Sequence, residues 1–195
     1  MIFSTSLRII KKTDKITKFI KQSSDPMSPT HTQEQFLQLI EQNKGIIYKV
    51  SRAYGKNDED REDLFQEIII QLWGAFGRYN DQYKLSTWMY RISLNVAISF
   101  YRKERRRVES ESPLTESMIE IADNREDPGL ENNIHLLQQF INELNELDKA
   151  LMILYLESKS YKEMAEILGI TETNVATKIS RIKAQLKQKF LTIKS

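Results

Sequence analysis

The chain has 195 residues, 40% apolar and 29% charged, with a net charge of +2 and no cysteine. That balance supports one or two packed domains of a soluble class and fits a reducing cytoplasm. It excludes disulfides, thiolate zinc sites and cysteine nucleophiles, and no apolar run approaches the length of a membrane span.

Residues 1–30 read as a disordered or mis-started extension, with Met27 as an alternative start. Six Lys/Arg stand against Asp14 in the first 21 residues, but without the continuous apolar stretch of a secretory signal. Leu7, Ile10, Ile16 and Ile20 sketch only a thin amphipathic stripe, and QSSDPMSPT ends the segment as a loop.

Residues 31–107 are predicted to form a first helical domain. Phe36, Leu39, Ile40, Ile47, Val50 and Tyr54 keep helical spacing, with a local irregularity expected at Gly45. Asp58 to Asp63 make an acidic helix start, favourable against the helix dipole. Leu64, Ile68, Leu72 and Ala75 form one stripe of the second helix. Phe65, Ile69 and Trp73 form another, which implies either a central helix or a partner on that face. After a Tyr- and Asn-rich loop, Gly77 to Leu85, Ser86 is the expected cap of a third helix with Met89, Ile92, Val96 and Phe100 inward.

Residues 108–133 carry eight acids against Arg125, two prolines and no sustained periodicity, the signature of a linker. Residues 134–195 are a second helical domain, opened by Leu137, Phe140, Ile141 and Leu144. Asp148 is the expected cap of a helix carrying Leu151, Ile153, Leu154 and Leu156. The fold class is therefore all-α: two small helical domains joined by a flexible acidic linker.

The last fifth of the chain holds the clearest local signals. Ser160 and Glu163 form an S-x-x-E capping box. Gly169 stands where a left-handed C-terminus is needed, and Thr171 offers the next N-cap. Val175, Ile179, Ile182 and Leu186 make one buried stripe, and no acid occurs from Thr173 onward. This is a helix-turn-helix. Thr173, Asn174, Thr177, Lys178, Ser180 and Arg181 lie between the apolar positions, as side chains that reach base edges and phosphates do. An ordinary helical hairpin with a solvated basic face is the alternative.

A second nucleic-acid candidate is STWMYRISLNVAISFYRKERRR. It interleaves Trp88, Tyr90, Phe100 and Tyr101 with Arg91, Arg102, Lys103, Arg105 and Arg106. Aromatic faces stack on unpaired bases while Arg and Lys hold phosphates. The alternative is core aromatics followed by a solvated basic helix end.

Two blocks in series carry a resemblance to a known family. DREDLFQEIIIQLW with STWMYRISLNVA, and later LDKALMILYLESKSYKEMAEILGITETNVATKISRIKAQL, resemble bacterial RNA polymerase sigma factors of the extracytoplasmic-function (ECF) group, from about Gln35 to Lys189. The resemblance implies that Asp63, Leu64, Gln66, Glu67, Ile70 and Trp73 pack on the clamp helices of the polymerase largest subunit, so that the second apolar stripe is an interface patch. It implies that Trp88, Tyr90, Arg91, Asn95, Tyr101, Arg102, Arg105 and Arg106 read and melt the minus-ten element, with Asn95 near an extruded base. The six outward residues of the final helix would read the minus-thirty-five element. Ala176 departs from the pattern, because many relatives carry a basic residue there. The acidic linker would thread the polymerase channel as a mimic of nucleic-acid backbone; a plain spacer is the alternative.

The implied partners are core RNA polymerase, through its clamp helices and flap region, promoter DNA and an anti-sigma factor. No cofactor, metal, small-molecule substrate or stable membrane insertion is expected. Two rival functions fit parts of the chain. An autonomous helix-turn-helix regulator explains the last domain but not DREDLFQE with STWMYRISLN. A magnesium nuclease built on Asp58, Glu59, Asp60, Glu62 and Asp63 lacks a convergent catalytic set, since His31 and His135 are isolated.

Overall fold

The computed structural model describes residues 33–80, 82–111 and 130–193. The expected N-terminal extension and most of the acidic linker lie outside them. The described residues form seven helices: α1 (Gln33–Tyr54), α2 (Asp58–Phe76), α3 (Leu85–Glu111), α4 (Leu130–Glu143), α5 (Glu146–Leu156), α6 (Tyr161–Leu168) and α7 (Glu172–Ile193). No strand occurs among them. Contacts divide the chain between Val96 and Ala97, inside α3.

In the first unit, α1 and α2 pack against each other. Phe36, Ile40, Ile47, Val50 and Tyr54 of α1 are buried, as are Leu64, Ile68, Ile69, Leu72 and Phe76 of α2. The Phe36 ring sits 5.0 Å edge-on from Trp73 and 5.2 Å from Phe76. Phe36 comes early in α1, whereas its partners come late in α2, so the pair is antiparallel. Asn57 caps α2 by accepting from the Asp60 amide at 2.8 Å. Asp58 holds Arg61 at 2.9 Å. The acids expected at this start therefore serve the helix terminus.

The α1–α2 turn is tight. A Cβ on Gly55 would stand 2.7 Å from the Arg61 amide nitrogen and 2.8 Å from its Cα. Backbone cannot yield as a side-chain tip can, so only glycine fits. Gly55→Ala is expected to lower unfolding stability by about 1–3 kcal/mol in chemical denaturation; an unchanged midpoint would contradict this close approach.

Several local expectations are corrected. Helix α1 runs straight through Gly45, because an exposed glycine leaves the backbone ladder intact. Helix α3 begins at Leu85, with the Trp88 amide donating to the Lys84 carbonyl at 3.1 Å, so Ser86 is its second residue rather than its cap. Its buried positions are Thr87, Met89, Tyr90, Ser93, Leu94 and Ala97, whereas Ile92, Val96 and Phe100 are only half-buried. The inward stripe is thus rotated by about one residue. The same helix continues to Glu111, beyond the expected end at 107.

In the second unit, Ala150, Leu151, Met152 and Leu154 of α5 meet Met164 and Ile167 of α6 and Val175, Ile179 and Ile182 of α7 in one core. Phe140 of α4 packs edge-on against Phe190 at 5.1 Å. Asn145 caps α5, accepting from the Asp148 amide at 2.9 Å; Asp148 is the third helical residue. Leu156, expected inward, is 54% exposed.

Candidate functional site

Three surfaces carry the residues singled out in the sequence. The first is the outer face of α2. Asp63, Glu67 and Ile70 are exposed there and Gln66 is half-buried. Leu64 is fully buried and supports this face from beneath. The second apolar stripe does not reach it: Ile69 is 2% exposed, and the half-buried Trp73 packs on Phe36. Ile69 is thus core rather than interface, whereas Phe65 and Trp73 are half-buried and keep part of their surface. Trp73 is met by α1, a partner that helix periodicity alone does not identify. What α2 offers outward is acidic, with Ile70 as its one large exposed apolar side chain among the described residues.

The second surface gathers aromatics around the start of α3. The rings of Tyr79 and Trp88 pack at 5.0 Å, tilted by 49°, and the Tyr79 hydroxyl donates to the Tyr83 carbonyl at 3.2 Å. Arg91 lies over the Tyr83 ring at 5.4 Å. Tyr83 is 44% exposed, Trp88 half-buried and Asn95 exposed one turn beyond Arg91. Tyr90 is 2% exposed, so its ring belongs to the core and offers no face to a base without repacking. Tyr79 and Tyr83 were not among the expected site residues. The Tyr-rich composition of Gly77 to Leu85 was their only signal, and it did not say which rings meet.

Further along α3, Arg102, Lys103, Arg105, Arg106 and Arg107 are exposed. Within the second unit, Arg102 Nε donates to Glu146 at 2.8 Å. This hydrogen bond, with a backbone bond at Glu146 itself, holds the Glu146 carboxyl below the usual carboxylate range. Lys149 is buried and lies 5.3 Å from the Tyr101 ring centroid. Burial pulls its ammonium pKa down. Tyr101 and Arg102, both expected at DNA, are thus engaged by the first turn of α5. The sequence gives no sign of these long-range contacts.

The third surface is the helix-turn-helix. Ser160 and Glu163 form the reciprocal capping box, with the Glu163 amide donating to Ser160 Oγ at 3.2 Å and the Ser160 amide to Glu163 at 3.0 Å. Gly169 is left-handed at φ 68°. Thr171 caps α7, accepting from the Asn174 amide at 3.2 Å. These local devices fix the angle at which α7 leaves the turn. Thr173, Asn174, Thr177, Ser180 and Arg181 are exposed. Lys178 differs, because its ammonium is paired with Asp148 of α5 at 3.0 Å and is half-buried. It is held toward the domain rather than outward. Lys183 similarly lies 5.4 Å from the centroid of the Tyr155 ring. Ala176 is half-buried, so its methyl packs where a longer basic side chain would project.

No group of three or more His, Asp or Glu arranged to hold a metal occurs among the described residues. No helix among them is long and apolar enough to cross a membrane.

Residues 39–107 match the family model described as sigma-70 region 2, and residues 134–186 match that of sigma-70 region 4. The chain is 27% identical to the ECF RNA polymerase sigma factor SigM of Bacillus subtilis, over 72% of this chain and 86% of that protein. It is 28% identical to SigW of the same organism, over 80% of this chain and 89% of that protein. Among solved structures, it resembles the sigma factor RpoE of Bartonella quintana, crystallised with the anti-sigma factor NepR. There the TM-score is 0.66 and the identity 20%, covering 83% of this chain and 99% of that one. It also resembles CnrH in complex with the cytosolic domain of CnrY, at a TM-score of 0.58 and 17% identity, over 92% and 97% of the two chains.

Proposed function

The chain belongs to the bacterial RNA polymerase sigma factors of the ECF group, and from that premise we propose how its surfaces divide the work of initiation. As a sigma factor it binds core RNA polymerase and directs it to promoters. Residues 31–107 serve polymerase binding and minus-ten recognition, 108–133 connect, and 134–195 read the minus-thirty-five element.

Asp63, Gln66, Glu67 and Ile70 dock on the clamp helices, with Leu64 and Trp73 holding their helix in place. Asn95 is exposed on α3 one turn beyond Arg91, which itself lies over the Tyr83 ring. Such a set suits a base leaving the stack, because aromatic walls replace lost stacking and an amide replaces lost pairing. Arg102, Arg105 and Arg106 supply charge for phosphates, Arg102 after release from Glu146. On α7, Thr173, Asn174, Thr177, Ser180 and Arg181 face the duplex. The protein has no catalysis of its own and works in the cytoplasm beside its polymerase. The similar RpoE structure holds an anti-sigma factor, which supports an anti-sigma factor as a further partner here.

The observation that carries this reading is the succession, in one chain, of an acidic outer face, an aromatic and arginine group, and a helix-turn-helix whose first helix is capped at both ends and whose second is capped at its start. Reconstituted with core polymerase, the chain is expected to start transcription at a defined set of promoters in a genome-wide run-off assay. Asn95→Ala should bind polymerase normally yet reduce permanganate reactivity at the minus-ten element. Silence at every promoter would overturn the assignment, and normal melting by Asn95→Ala would remove Asn95 from it.

A further inference from the structure

Two glycines lie inside the helices of the first unit, Gly45 in α1 and Gly74 in α2. Both are exposed, and a Cβ added at either would meet no atom within 4 Å. Neither has the left-handed backbone that favours glycine. Nothing within the described residues therefore requires glycine, although it is the poorest helix-interior residue after proline. Gly55 is the contrast, since its backbone neighbour leaves no room for a side chain.

Gly74 has one property that Gly45 lacks. It continues the outer face of α2 at helical spacing: Asp63, Glu67, Ile70, Gly74. These positions span about 16 Å along one side of the helix. Ile70, one turn before Gly74, is the only large apolar side chain that α2 leaves exposed, at 38%. An aliphatic knob beside a bare stretch of backbone is the relief that lets a second helix settle close, since interaxial distance is set by the side chains at the contact. The acids at the other end favour a partner helix with Lys or Arg opposite them.

We infer that Gly74 is a close-approach point at which a basic helix of the polymerase clamp seats against α2, with Ile70 packed beside it. This rests on the assignment of that face to polymerase binding. A methyl group at Gly74 relieves the helix but stands in the path of the partner, so stability and binding move in opposite directions. Gly74→Ala is expected to raise the unfolding midpoint of the free protein while weakening core-polymerase affinity by about tenfold. Gly74→Leu should weaken it further. Gly45→Ala should raise the midpoint similarly and bind as the unsubstituted protein does.

Chemical denaturation together with a fluorescence titration against core polymerase reads both quantities. Wild-type affinity in Gly74→Ala overturns the inference, and so does a lowered midpoint, which would show that glycine serves the fold. Asp63→Arg with Glu67→Arg separates the two levels. If that variant also binds normally, the assignment of the whole face fails. If it does not bind while Gly74→Ala does, the face stands and Gly74 is not the contact.

Discussion

Asp63→Arg with Glu67→Arg is expected to weaken assembly with core polymerase by at least about a hundredfold while leaving the fold intact. Both side chains are exposed on α2, so reversing them disturbs no buried partner. Glu67 accepts one hydrogen bond, from Gln71 at 2.9 Å, and an exposed i, i+4 pair contributes only about 0.2–0.5 kcal/mol. The change in unfolding midpoint should therefore be small. Binding responds differently. Like charges set against each other at an interface cost several kcal/mol, and each 1.4 kcal/mol is tenfold in affinity. Two reversals facing a basic helix exceed a hundredfold on that scale. A titration of labelled protein with core polymerase measures the loss, and near-wild-type affinity would detach this face from the clamp.

The prediction draws on a face that sequence pattern defined only in part. Periodicity placed Phe65, Ile69 and Trp73 together, and they do share a side of α2. It was silent on what covers that side. Over Trp73 the cover is α1, through Phe36, a residue more than thirty positions away in sequence. The polar face was legible because exposure needs no knowledge of a partner. The helix-turn-helix was legible for a related reason. Capping box, left-handed glycine and N-cap threonine each act over three or four residues, so local sequence is enough to identify them.

Where two local signals competed, the sequence misled. Asn145 and Asp148 both suit a helix start, and the structure uses both: Asn145 as the cap and Asp148 as the third residue, the two hydrogen-bonded at 2.7 Å. The contacts of Tyr101 with Lys149 and of Arg102 with Glu146 bridge more than forty residues. No periodic pattern encodes such pairs, so the charge state of α3 inside the folded chain was hidden.

The recognition helix shows how such a hidden pair changes an expected result. From spacing, Lys178 and Arg181 look equivalent, three residues apart and both basic. In the fold they separate. Arg181 is exposed and makes no ion pair among the described residues, whereas Lys178 is held by Asp148 at 3.0 Å in a half-buried setting. Arg181→Ala is therefore expected to leave stability within about 0.5 kcal/mol of wild type and to weaken holoenzyme binding to minus-thirty-five-dependent promoters. The slope of log affinity against log salt should fall by about one, as for the loss of one phosphate contact. Lys178→Met should do the reverse. It removes one of two partners of the half-buried Asp148 carboxylate, leaving only the Asn145 amide at 2.7 Å, which lowers stability by about 1 kcal/mol with little change in the salt slope. Asp148→Asn added to Lys178→Met should restore part of that loss, because a neutral amide costs less to leave beside an apolar side chain than a carboxylate does. A salt slope that falls equally for Lys178→Met and Arg181→Ala would mean that the ion pair opens on DNA and that Lys178 is a phosphate contact after all.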